Sequence, residues 1–163
     1  MKEFGNIYSR LGNPTVGALE ARLTALEEGA MCVALSSGTS AVMYSLINIM
    51  SQGDNFVTAN ELYGGTYTMF DNILPEYGID SKKVDITDLA AVESAIDDKT
   101  RAIYCETITN PGLVVADISA LSDIAHSKGI PLIVDATFTT SAILKPFESV
   151  SYTHLTLPTN REV

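Results

Sequence analysis

A three-layer α/β/α domain with a mostly parallel sheet is the fold this sequence predicts, and three observations predict it. Short apolar runs alternate with stretches of helical period. The clearest run, Ile130-Pro131-Leu132-Ile133-Val134, leads straight into Asp135-Ala136-Thr137 and reads as a strand covered on both faces. Strands alternating with helices pair in parallel through right-handed crossovers, so their carboxyl ends share one edge. The loops expected at that edge begin at Ser36, Asn60, Thr107 and Asp135.

Each element has its own signal. Asn13-Pro14 opens the first helix as N-cap and first-turn proline, with Val16, Leu19, Leu23 and Leu26 as an apolar stripe and Gly29 as the stop. Met31 to Leu35 reads as a short buried strand. It breaks at Ser36-Ser37-Gly38-Thr39-Ser40 and passes into a helix from Ala41 to Met50, closed by Gln52-Gly53-Asp54. Asn55 to Ala59 is the next strand, followed by Glu61-Leu62-Tyr63-Gly64-Gly65 and a helix from Thr66 to Leu74, with Pro75 and Gly78 at its end. A weak strand over Lys82 to Val84 leads to a helix over Asp88 to Ile96. Arg101 to Glu106 is a strand, and Thr107 to Ala116 a loop containing Asn110-Pro111-Gly112. Asp117 caps a helix that ends at Gly129, before the Ile130 strand.

Composition narrows the function classes. With 163 residues, 46% hydrophobic and 18% charged, the chain is one globular domain's worth. A net charge of −10 argues against a nucleic-acid groove, which needs clustered Lys and Arg. No stretch approaches the ~18 apolar residues of a membrane span. Cys32 and Cys105 sit in apolar runs and read as core thiols in a reducing compartment, hence a cytoplasmic protein. Val150-Ser151-Tyr152-Thr153-His154-Leu155-Thr156-Leu157-Pro158-Thr159 matches a translated frame of a sequencing-library transposon end. Residues 1–148 are therefore expected to be a partial large domain, and 149–163 a non-native read-through tail.

Three loops at the common edge suggest one ligand. Ser37-Gly38-Thr39, between a strand and a helix, has the form of a phosphate cradle at a helix N-terminus, though such a loop is also an ordinary turn. Neither G-x-G-x-x-G nor the P-loop pattern occurs. Tyr63 offers an aromatic face, Asn110 a donor and an acceptor, and Asp135 a carboxylate. Singly these read equally as a loop tyrosine, a turn and a cap. Together they meet the demand of a phosphorylated pyridine, pyridoxal 5'-phosphate (PLP), whose ring nitrogen stays protonated beside a carboxylate.

Tyr8-Ser9-Arg10 with Gly12-Asn13-Pro14-Thr15, Ser36-Ser37-Gly38, Leu62-Tyr63-Gly64-Gly65-Thr66-Tyr67, Glu106-Thr107 with Asn110-Pro111, and Val134-Asp135-Ala136-Thr137 follow in order. In this the chain resembles the cystathionine γ-synthase-like PLP enzymes of cysteine and methionine metabolism, over about residues 3 to 148. The resemblance implies the aspartate-aminotransferase fold and a homo-oligomer, a tetramer built from dimers that share active sites. It implies that Tyr8 and Arg10 reach the phosphate of the neighbouring subunit's cofactor, and that Ser37, Gly38 and Thr39 hold the chain's own. Tyr63 would stack on the ring and assist proton transfer, as the one catalytic side chain. Asn110 would bond the cofactor or the substrate carboxylate, Asp135 the ring nitrogen, and Thr137 would line the pocket. Two departures stand out. Ala136 occupies a position where relatives usually have Asn, and Gly65 one where methionine γ-lyases carry Cys, which favours the sulfhydrylase or synthase branch. The implied reaction is γ-replacement on O-acetylhomoserine by sulfide or a thiol, with a small amino acid as substrate and neither nucleic acid nor membrane as partner. The family's cofactor-bearing lysine lies in a Ser-Ala-Thr-Lys-like segment that these residues lack, so the 163-residue chain itself is expected not to turn over. A non-catalytic ligand-binding module is the alternative of another class.

Overall fold

The computed structural model describes Tyr8, Ser9 and residues 12–149; Arg10 and the 150–163 stretch lie outside the described residues. The chain divides into two compact units, residues 1–35 and 36–163.

In the first unit, α1 (Pro14–Glu27) starts where the Asn13 side chain accepts the N–H groups of Thr15 and Val16, at 3.0 and 3.2 Å. Glu28 takes a left-handed conformation (φ 55°), and the Gly29 N–H returns to the Thr24 carbonyl. Two expectations are corrected here. Met31 to Leu35 forms no strand, and Met31 and Val33 are 77% and 64% exposed. On α1, Val16, Leu19 and Leu26 are exposed as well. β-propensity makes a strand only where a neighbour takes up the backbone hydrogen bonds. This segment instead gives its Ala34 N–H to the Glu20 carboxylate of α1, at 2.8 Å. Cys32 is consequently half-buried and not a core thiol.

The second unit holds a four-stranded parallel sheet in the order β2-β1-β3-β4: β1 (Asn55–Ala59), β2 (Asp80–Val84), β3 (Thr100–Glu106) and β4 (Leu132–Asp135). The central strands β1 and β3 are almost wholly buried, which is why Phe56-Val57 and Ala102-Ile103-Tyr104-Cys105 read as apolar stretches. Edge strand β2 carries Lys82 and Lys83, paired with Asp97 and Asp71, and its mixed surface explains its weak signal. Helices α2 (Gly38–Ile47), α4 (Leu89–Ala95) and α5 (Ile118–Ser127) begin at caps Ser37, Asp88 and Asp117, whose side chains each accept an N–H from the first turn. The helix expected over Thr66 to Leu74 starts earlier, as α3 (Gly64–Thr68). It widens into a π-turn over Met69–Ile73, tightens to a 3₁₀ turn over Leu74–Tyr77 at Pro75, and ends at left-handed Gly78. A short α6 (Thr140–Ile143) follows β4.

Three buried rings tie this helix to the sheet. Phe70 stands edge-on between Phe56 of β1 and Tyr104 of β3, with centroids 4.7 and 5.1 Å away. Val42, Leu46, Leu121 and Leu132 complete the core. Parallel register then sets Glu106 directly beside Asp135 at the carboxyl edge of β3 and β4.

Candidate functional site

Asp135, the last residue of β4, is half-buried and held from both sides. Its Oδ1 accepts the Thr137 N–H at 2.9 Å and the Thr137 hydroxyl, and its Oδ2 accepts the Tyr104 hydroxyl at 3.2 Å. The tight turn after it is made by Ala136, which is buried and whose carbonyl accepts the N–H groups of Thr139 and Thr140. Thr137 therefore orients the carboxylate from an exposed position.

Glu106, which sequence reasoning left without a role, stands beside it and is 5% exposed. Its Oε1 accepts the Tyr63 N–H at 2.7 Å and its Oε2 the Asn110 N–H at 3.1 Å. One carboxylate thus joins the loop after β1 to the loop after β3. Those loops also meet at Gly112, where an added Cβ would overlap the Glu61 carboxylate. The second loop contains a cis Asn110-Pro111 bond and an antiparallel bridge from Ile108 to Val115. The signal that could have found Glu106 is the one that found Asp135: an acid ending a run buried on both faces.

Tyr63 is 41% exposed, with its ring against Gly65; an added Cβ there would lie 2.7 Å from Cε1. At α2 the Ser37 hydroxyl accepts the Ser40 N–H at 3.0 Å. Ser37 is therefore committed to capping, while the N–H groups of Gly38 and Thr39 open the helix, where no carbonyl of an earlier turn can take them. Helix α2 packs on α3, which begins directly after the Tyr63 loop. Tyr8 belongs to the first unit and is exposed. A cavity of about 440 Å³ lies at the other end of β3 and β4, lined by Thr100, Arg101, Lys128 and Pro131; none of the sequence-derived site residues lines it.

The electrostatics follow from two neighbouring acids. Burial pushes Glu106 up to about 7, helped by Asp135 and opposed by the two N–H groups it accepts. Burial, then Asp135 and Glu106, pushes the Cys105 thiol up to about 12 and the Tyr104 hydroxyl well above its ordinary range. A raised carboxyl pKa contributes stability that is complete below the unfolded value of 4.5 and is lost as pH rises through about 7. The acids with lowered values, Asp71, Asp85 and Asp97, act below 3.8, outside that window. Urea midpoints of the chain are expected to fall between pH 5 and pH 8, and the Glu106→Gln variant to lose that slope.

A fixed carboxylate, a helix N-terminus and an exposed tyrosine are the groups a PLP site would use for the ring nitrogen, the phosphate and the ring face. Comparison with known proteins points to the same cofactor. Residues 1–150 match the family described as Cys/Met metabolism PLP-dependent enzyme. Sulfhydrylase FUB7 of Fusarium oxysporum is 48% identical over 84% of this chain and 32% of its own length. The O-acetyl-L-homoserine sulfhydrylase of Leptospira meyeri is 43% identical over 91% of the chain and 34% of its own. A solved structure described as an O-acetylhomoserine (thiol)-lyase of Campylobacter jejuni, with N'-pyridoxyl-lysine-5'-monophosphate, superposes with a TM-score of 0.88 at 41% identity, covering 95% of this chain and 38% of that one. The chain spans about a third of the length of the curated relatives it matches. Its fold is that of the aspartate-aminotransferase-like PLP enzymes, and the chain belongs to the Cys/Met metabolism PLP-dependent enzyme family.

Proposed function

We propose that these residues form the cofactor-binding part of a cytoplasmic, homo-oligomeric enzyme that replaces the γ-substituent of O-acetylhomoserine with sulfide or a thiol. The observation that carries this reading is Asp135, anchored by Tyr104 and Thr137 at the sheet edge beside the Tyr63 and Asn110 loops. PLP, when bound, supplies the electron sink that lets the substrate's Cα and Cβ protons leave. Asp135 keeps the ring nitrogen protonated, Gly38 and Thr39 hold the phosphate, and Ser37 keeps their helix capped. Tyr63 covers the ring and moves a proton with its hydroxyl. Asn110 orients the cofactor or the substrate carboxylate. Tyr8 and Arg10 serve the neighbouring subunit's phosphate.

Gly65, where methionine γ-lyases carry Cys, favours the sulfhydrylase or synthase branch, and a side chain there would also press on the Tyr63 ring. Residues 12–149, exchanged for the matching stretch of the Leptospira meyeri enzyme, are expected to sustain PLP-dependent homocysteine formation from O-acetylhomoserine and sulfide. The 163-residue chain alone, which contains no Ser-Ala-Thr-Lys-like segment, is expected to form none. A chimera that binds PLP but makes no homocysteine would refute the sulfhydrylase assignment while sparing the cofactor site.

A further inference from the structure

We propose that Glu106 is a positioning residue whose two carboxylate oxygens hold the Tyr63 and Asn110 loops at a fixed separation above the sheet edge. The proposal rests on the functional reading above only for why that separation matters: Tyr63 and Asn110 would contact the cofactor from two different strands.

The geometry is specific. Tyr63 and Asn110 are 47 residues apart, yet their backbone N–H groups converge on one side chain, each on its own oxygen. Glu106 ends the buried strand β3 and is itself 5% exposed. Because each N–H lies on its own oxygen, a side chain with one acceptor oxygen in this pose would leave one of the two loops unmet. Glutamine would present an amide N–H₂ to a backbone N–H, donor against donor. An unmet buried donor is the costly case, so one loop would be released. Gly112 adds an independent sign of the same closure, since the loops approach so nearly that Glu61 fills the space of a side chain there. The ionisable groups that interact with Glu106 are Asp135 on β4, Tyr104 on the same face of its own strand, and Cys105, the preceding residue.

The test uses the 163-residue chain without cofactor, followed by ¹H–¹⁵N NMR from pH 5.5 to 8.5. The amide protons of Tyr63 and Asn110 are expected to move downfield together as Glu106 ionises, with one shared midpoint near 7. In Glu106→Gln that joint titration should vanish. At least one of the two amides should exchange with solvent about tenfold faster or more, while amides within β1 and β4 change less than about twofold. If Glu106→Gln does not fold, the wild-type titration decides, supported by Glu106→Asp, whose shorter side chain should retain the titration at one amide and lose it at the other. Amides that fail to titrate, titrate with separate midpoints, or lose protection only together with the whole sheet would overturn the proposal. Failure of PLP to bind leaves every one of these readouts untouched.

Discussion

Replacing Tyr104 by alanine is expected to lower the unfolding free energy by about 3–5 kcal/mol, the range for removing a large buried ring. Tyr104 is fully buried in the centre of the sheet and stands edge-on to Phe70, which in turn stands edge-on to Phe56. Truncation opens a cavity at the joint between β3 and the α3 helix and forfeits the edge contact. It also strips Asp135 of the hydroxyl on Oδ2. Tyr104→Phe separates the two contributions: the ring contacts stay, and the loss should fall to about 1.5–3 kcal/mol, the scale of a hydrogen bond to a charged group. Urea unfolding of both variants at pH 8 measures the difference. An alanine variant within about 1 kcal/mol of the parent would mean that the ring stack does not hold this helix to the sheet.

Asp135→Ala is expected to weaken PLP binding by about 100-fold or more, because the bound ring would desolvate the pair between this half-buried carboxylate and the ring nitrogen, and removing one partner of such a pair costs about 3–5 kcal/mol. The same substitution leaves the Tyr104 hydroxyl buried without its acceptor. Some loss of stability therefore accompanies the loss of affinity, and the two must be measured separately. Asp135→Asn is the sharper variant. Its amide oxygen can still accept from Tyr104 or Thr137, but it carries no charge to favour a protonated ring nitrogen. Its stability should stay near that of the parent while PLP affinity drops. Absorbance titration with PLP, beside unfolding curves of each variant, makes the comparison. Equal affinity in parent and Asp135→Asn would remove Asp135 from the site.

Most of this architecture is legible in the sequence, for a physical reason. Strands β1, β3 and β4 are largely buried, so each carries an apolar stretch, and the acids that end β3 and β4 mark the sheet edge. Caps are local chemistry, and Asn13, Asp88 and Asp117 declare themselves. Met31 to Leu35 misleads because its composition suits a strand while no partner in the described residues completes it. Glu106 carries the same strand-end signal as Asp135, but its role does not show in the sequence. That role lies in which distant N–H groups reach it, and those come from loops whose meeting only the folded chain reveals. The π-turn at Met69–Ile73, which holds Phe70 against Phe56 of the sheet, likewise has no signal in the helical period.

The lysines of β2 have a consequence for how these molecules behave in a crowd. A sheet margin with unsatisfied backbone groups invites another copy to add itself, the first step toward fibrils. Lys82 and Lys83 put a strongly hydrated ammonium on each face of that margin, and each is anchored by an aspartate of the same chain. Desolvating them would be the toll on any incoming strand, so this margin is expected to resist pairing with another copy.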